Sequence, residues 1–363
     1  MKLINMKHIH FYALFLQGVF VIILFLIGCE KPVQPISITG ETMGTTYSIR
    51  YYYDGAKSPE KKNIQRGIDS LLKEINLQMS TFIPESEISR FNTWSGKGTF
   101  QISSHFREVV ERSLSWQNIT DGSFIISIFP LVSIWGFGPD RWNRLEQWKP
   151  PPQSTIDSAL EKIHREGISL SLSGLSKQFP HTKIDLSAIA KGYAVDLVSE
   201  FLKQNKIANF LVEIGGEVRC RGLKSDGTLW KIGIDHPGSE TSVRTILGKN
   251  VNLLNQSMAT SGNYRNFHTF DGQKYHHELD PSTGYPVKNQ LASVSVITKR
   301  CIDADALATA LIVMGFEKGS ALVESLSGYQ AIWVLKMNAG IEIRSSAGIN
   351  LSENQIYGVG LSD

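Results

Sequence analysis

Apolar residues recur at helical spacing early in the chain. Within residues 58–82, Ile64, Ile68, Leu71, Leu72 and Ile75 lie three or four apart, which places them on one face of a helix. Ser58, Pro59 and Glu60 supply its start. Residues 103–122 predict a second helix closed by Asp121 and Gly122, and residues 155–166 a short third. Residues 185–207 run from loop into an amphipathic helix, and 301–326 into one or two more. Runs rich in β-branched and aromatic residues predict strands at 42–53, 209–222, 230–237, 242–248, 291–298, 331–336 and 341–346. Residues 135–153, dense in Trp, Gly and Pro, predict a long surface loop. Strands and helices mix without regular alternation, so the pattern predicts an α+β fold, in one large domain, rather than a doubly wound sheet.

The N-terminus changes that picture. Lys2 and Lys7 precede an apolar run that ends Leu26-Ile27-Gly28-Cys29. A basic start, an apolar centre and a small residue before a processing point describe an export signal. The ending resembles a bacterial lipobox, in which the Cys becomes the lipidated first residue. The expected division is a lipoprotein signal peptide at 1–28, lipidated Cys29 with a short tether at 29–38, and one domain at 39–363. An uncleaved anchor is the alternative, since the run is nearly long enough to span a bilayer. Both place the chain outside the cytoplasm and tethered to a membrane, with the periplasmic face of the inner membrane expected.

Composition suits a large core, with 42% hydrophobic and 20% charged residues over 363 positions. The net charge of +3 is scattered rather than massed, so no nucleic-acid partner is expected. Cys220 and Cys301 read as buried small hydrophobes. No Cys-x-x-Cys and no paired His spacing occurs, and no zinc site is expected.

Five stretches carry more chemistry than packing asks for. In ETMGTTYSI, Gly44 breaks a β-prone run, as a bulge or as a point of ligand approach. In DLSAIAKGYAVD, Asp185 is either a helix cap or part of an anion site with Lys191 and Gly192. In EIGGEVRCRG, Gly215 and Gly216 permit close backbone approach, but neither a Rossmann fingerprint nor a P-loop is present. In CIDADALATALIVMG, Asp305 and Thr309 share a helical face. They suit Mg2+ as hard oxygen ligands, or else form a cap and a hydroxyl bonded back to its own helix. The last, HHELDPSTGYPV at 276–287, is either a solvated hairpin loop or polar chemistry held in a fixed turn.

These stretches resemble the FAD:protein FMN transferase (ApbE) family, in the family's order. The matching motifs are G-E-T-M-G-T-T-Y, M-S-T-F-x-P-x-S-E-I-S-R-F-N, P-L-V-x-x-W-G-F-G-P, D-L-S-A-I-A-K-G-Y-A-V-D, I-G-G-E-V-R, A-T-S-G-N-Y-R, H-x-L-D-P-x-T-G-x-P and D-A-L-A-T-A. The resemblance implies a mixed, T-fold-like domain that binds FAD with Mg2+. It also implies transfer of FMN to a Thr or Ser of an acceptor protein, with release of AMP. Met43, Phe82, Ser123, Phe124, Ile125, Asp185, Lys191, His277 and Leu279 match nucleotide-contacting positions. Asp305 and Thr309 match metal ligands, with the Ala188 carbonyl as a third. His277 is the candidate for proton handling, His276 a solvated neighbour, and Asp280 a shaper of the turn. One departure stands out: Ile125 replaces the Asp of the family's G-x-F-D-[IV]-T segment. The implied partners are exported or membrane redox proteins bearing D-x-x-[ST]-G-A-[ST]. FAD pyrophosphatase activity and non-catalytic flavin binding are the alternatives.

Overall fold

The computed structural model describes residues 34–53, 59–139, 148–235, 237, 246–264, 266–338 and 340–353. The expected signal segment 1–28, Cys29, Ser58, positions 140–147 of the expected loop and 242–245 of an expected strand lie outside them.

Met43 and Gly44 both adopt positive φ, 51° and 71°, and turn the chain back on itself in two residues. They join β1 (Ile36–Thr42) to β2 (Thr45–Tyr52), with Thr42 opposite Thr45. The run expected as one strand is thus the second arm of a hairpin, and its first arm begins inside the segment expected as tether. Gly44 closes a turn rather than bulging a strand. α1 (Lys61–Met79) buries Ile64, Ile68, Leu72 and Ile75, the face that the spacing predicts. α2 (Glu87–Thr93) follows, its start capped by the Ser86 hydroxyl, which accepts from Ser89 N at 3.1 Å. Next come α3 (Ser104–Ile119), a 3₁₀ turn at Ile126–Ile128 and α4 (Phe129–Ile134). α5 (Gln153–Leu160) ends earlier than expected, because residues 161–167 break into turns that feed the hairpin of β3 (Ile168–Ser171) and β4 (Gly174–Lys177).

The second half carries α6 (Ala190–Gln204), β5 (Asn209–Ile214), β6 (Glu217–Arg221), β7 (Trp230–Asp235), β8 (Ile246–Leu253) and β9 (Ser257–Gly262). β10 (Phe267–Phe270), β11 (Gln273–His276), β12 (Leu291–Thr298) and α7 (Cys301–Ser325) follow. β13 (Gln330–Met337), β14 (Gly340–Ser345) and β15 (Leu351–Glu353) complete the described chain. α7 is one helix interrupted at Gly315, whose φ is 78°.

Eight strands form an antiparallel sheet in the order β1-β2-β5-β6-β9-β12-β13-β14. Strand periodicity separates its two faces. In β13, Ala331, Trp333 and Leu335 join the core beneath α1, α3, α6 and α7. Ile332 and Val334 point the other way, to a core shared with Trp230, Ile234, Val251 and Leu253 of the small β15-β8-β7 sheet. Helices therefore cover one face and a second sheet the other, an α+β domain as the mixed pattern predicts. Cys220 and Cys301 are both free and buried.

The expected surface loop at 135–153 is corrected at its start. Trp135 and Phe137 are buried with Leu131, Ile156, Ala159 and Leu279. Trp135 Nε1 donates to the Gly284 carbonyl at 2.7 Å, and its ring packs on Tyr275 and Tyr285. Aromatic surface was buried against the 276–287 turn, a contact that no local pattern announces.

Candidate active site

A cavity of about 820 Å³ gathers loops and element ends from across the chain. The β1–β2 turn supplies Met43, the end of α1 leads to Phe82, and the segment before the 3₁₀ turn supplies Ser123, Phe124 and Ile125. Asp185, Ala188 and Lys191 come from the start of α6 and the loop before it, His277 and Leu279 from the turn after β11, and Asp305 and Thr309 from α7. Every position that the sequence assigned to nucleotide or metal thus lines one space. Phe82 is 51% exposed, a flat aromatic surface open to a ring system. Ile125 is buried in the wall and makes that stretch apolar.

The start of α6 packs directly on α7. Gly192 N donates to Asp305 Oδ2 at 2.8 Å, and Lys191 Nζ lies 3.7 Å from Asp305 Oδ1. Lys191 also bonds Glu217 Oε1 at 2.6 Å. Burial opposes the charge on Lys191, but Asp305 and Glu217 outweigh it and hold the ammonium protonated. Burial pushes the Asp305 carboxyl up, against the pull of Lys191, and Glu217 pushes it further. Glu278, 6% exposed, is pushed up by burial to about 7 despite Lys191, the Gly262 N–H and the Ser261 hydroxyl. Three carboxyls thus share one ammonium, and Glu217 Oε2 is buried without a hydrogen-bond partner.

That charge balance fits a divalent cation. Asp305, Thr309 and the Ala188 carbonyl offer hard oxygens of the kind Mg2+ takes, in a site where it keeps water and substrate oxygens. Among the described residues, no group of three or more His, Cys, Asp or Glu is arranged to hold a metal, so such an ion would rest on this mixed set. The Thr309 hydroxyl pairs with Ser261 Oγ at 3.1 Å rather than with its own helix.

Asp185 does not cap α6, which begins at Ala190. Its N–H donates to Ile126 O at 2.8 Å, and its carboxylate accepts from both the N–H and the hydroxyl of Ser187. These bonds tie the 185–188 loop to the wall that carries Ile125 and Ile126.

The 276–287 stretch is a fixed turn. Asp280 Oδ1 accepts from Ser282 N at 2.8 Å and from its hydroxyl at 2.6 Å, the turn-shaping role expected of it. Asp280 N bonds Tyr285 O and Gly284 N bonds Asp280 O, each at 2.8 Å. The Asn266 carbonyl lies 3.1 Å from both His277 N and His277 Nδ1. Donation from Nδ1 to that carbonyl selects the tautomer whose Nε2 is basic, and Nε2 stands 3.7 Å from Glu278 Oε1. His276 is corrected: it is not a solvated neighbour. Its Nε2 donates to Val287 O at 2.8 Å, its Nδ1 is buried without a partner, and burial pulls it down to about 4.

Glu217 and Glu278 are the residues that sequence reasoning missed. Each is an acid beside a position already singled out, Gly216 and His277, and their shared surroundings exist only after folding. Proximity in sequence to those positions was the available signal.

A family model described as "ApbE family" matches residues 43–333. The FAD:protein FMN transferase of Vibrio cholerae is 38% identical over 326 residues, covering 90% of this chain and 95% of that protein. The protein of that name from Haemophilus influenzae is 35% identical over 334 residues, covering 89% and 93%. Among solved structures, the flavin transferase ApbE from Vibrio cholerae superposes with a TM-score of 0.77 at 36% identity, covering 87% of this chain and 98% of that one. The apo flavinyl transferase ApbE of Pseudomonas stutzeri gives 0.77 at 33% identity, covering 88% and 96%. The described fold is therefore that of a known lineage, and the chain belongs to the ApbE family.

Proposed function

We infer that this chain is an FAD:protein FMN transferase, which moves FMN from FAD onto a Thr or Ser hydroxyl of an acceptor protein and releases AMP. The observation that carries it is the convergence of nucleotide-matching and metal-matching positions on one cavity with unbalanced negative charge. In the reaction, the acceptor oxygen forms a bond to the FMN phosphorus, and the bond from that phosphorus to the bridging oxygen breaks. The bridging oxygen leaves with AMP, and the hydroxyl proton is taken by His277 Nε2. The hydrogen bond to Asn266 O holds the ring in the accepting tautomer, and Glu278 stabilises the imidazolium that results. Phe82 offers a stacking surface for a ring of the dinucleotide. Lys191 supplies positive charge near the phosphates. Mg2+, held by Asp305, Thr309 and the Ala188 carbonyl, would neutralise pyrophosphate oxygens. A lipidated Cys29 would tether the domain to a membrane, with the periplasmic face of the inner membrane the expected location and exported redox subunits with D-x-x-[ST]-G-A-[ST] the acceptors.

The test combines the protein, FAD, Mg2+ and a peptide bearing that motif. Mass spectrometry should find the peptide heavier by FMN, with AMP in equal amount. Asp305→Ala should lower turnover by at least about 10²-fold, the scale of losing a main electrostatic stabiliser. AMP with free FMN and an unmodified peptide would assign hydrolysis instead. FAD left intact would leave only binding.

A further inference from the structure

His164 and His181 are 17 residues apart in sequence, on two turns outside the cavity, yet their Nε2 atoms lie 3.4 Å apart. Phe179 fixes both rings, 4.2 Å from His164 between centroids and stacked on His181 at 5.7 Å. The turns are fixed as well. The His164 carbonyl accepts from Gly167 N and from the Ser127 hydroxyl, each at 3.0 Å. Thr182 N donates to Phe179 O at 3.0 Å, and Gln178 N reaches across to Gly167 O at 2.9 Å. Arg165, beside His164, is paired with Asp121 at 2.5 Å, which offsets one positive charge on that turn, while Lys162 and Lys183 line the neighbouring pocket with His181.

The nitrogen separation, within reach of a weak N–H···N hydrogen bond between neutral rings, is at the long end of that range. It matches two ligands of one tetrahedral ion: with zinc–nitrogen bonds of about 2.0–2.1 Å, the tetrahedral angle puts the nitrogens about 3.3–3.4 Å apart. We propose that His164 and His181 form a binding site for a divalent transition metal, zinc, copper or nickel, through Nε2 of both rings. Imidazole nitrogen suits these ions and not Mg2+, so the site is chemically separate from the oxygen set around Asp305. No other His, Cys, Asp or Glu among the described residues completes it, so water fills the remaining positions. A bound ion would clamp the 163–167 turn to the 179–182 turn. The first is tied through Ser127 to the wall holding Ile125, and the second leads directly to Asp185. The sequence showed none of this, because the two histidines have no ligand spacing and meet only through tertiary folding.

The test uses the full chain in detergent with saturating Mg2+, so that the cavity oxygens are already engaged. Zinc is titrated by calorimetry, and Cu2+ is followed by electron paramagnetic resonance. Wild type should take up a zinc equivalent that is lost in His164→Ala and equally in His181→Ala, and kept in His277→Ala. The copper spectrum should lose the coupling of one nitrogen in each of the first two variants. Unchanged FAD binding in both reports that they are folded. No zinc uptake by wild type, or uptake retained in either His164→Ala or His181→Ala, overturns the pair.

Discussion

At Glu278, burial outweighs Lys191 and the hydrogen bonds from Gly262 and Ser261, and the carboxyl titrates at about 7. It is neutral below that value and negative above it, in a cavity proposed to receive a pyrophosphate. FAD binding without divalent metal should therefore weaken as pH rises through 7, by a few-fold to about tenfold for a charge at this range. Glu278→Gln should bind FAD more tightly on the alkaline side and lose the slope, read by flavin fluorescence titration. An unchanged slope in the variant would show that another group carries the dependence. Residue identity was the part of the site most legible in the sequence. Asp305 and Thr309 share a helix face whatever the fold, and His277 sits in a turn whose Asp, Gly and Pro are local signals. Environment was not legible. That Glu278 is buried, or that His276 is half-buried, depends on Val287, which bonds both, and on strands far away in sequence.

Helices α6 and α7 meet where neither has a side chain to spare. A Cβ at Gly192 would lie 2.7 Å from Asp305 Cβ and closer still to the Cys301 carbonyl, both parts of a packed helix that cannot turn aside. One turn along α6, Asp196 accepts from Cys301 N at 3.0 Å and Ile302 N at 3.1 Å, capping the start of α7, and bonds Arg219 at 2.7 Å. Gly192→Ala should destabilise the protein by about 1–3 kcal/mol through overpacking. It should also raise the Mg2+ concentration needed for half-maximal turnover, because Asp305 moves with α7. Asp196→Ala should cost more, about 3–5 kcal/mol, by leaving two helix N–H groups without their acceptor and Arg219 with its longer 3.4 Å contact to Glu200. Thermal unfolding ranks the two, and equal metal dependence in Gly192→Ala and wild type would separate the helix contact from the metal site. Elements with a strong local signal were readable: α1 by its apolar face, β13 by its unbroken run of apolar, β-branched and aromatic residues. The hairpin at Met43 and Gly44 was not, because two positive-φ residues inside a β-prone run look like continuity. Nor was the insertion of β9 between β6 and β12, since strand neighbours far apart in sequence leave no local trace.

For the molecule as a whole, pH acts on stability through groups that titrate differently folded and unfolded. His276 is the clearest case. Its ordinary value of 6.5 falls to about 4 in the fold, where burial keeps it neutral and its Nε2–H is engaged by Val287 O. The unfolded chain therefore takes up a proton at 6.5, whereas the folded one waits until about 4. Stability contributed by the neutral ring is present above 6.5 and is lost as pH falls through that window, by about 3.5 kcal/mol at most. Glu278, Asp185 and Asp196, each raised by burial, run the opposite way: each holds its proton more readily folded than unfolded, so each opposes stability as pH rises. Total stability thus mixes the two signs, and only a difference isolates His276. His276→Gln keeps an N–H donor for Val287 O but has nothing to titrate there. The stability of wild type minus that of His276→Gln, from urea unfolding across this range, should decline steadily with acidification. A difference that stays constant would mean that the ring is as solvated in the folded chain as in the unfolded one. The 276–287 turn would then be a surface loop at its first residue, and the anchoring of His277 would owe nothing to His276.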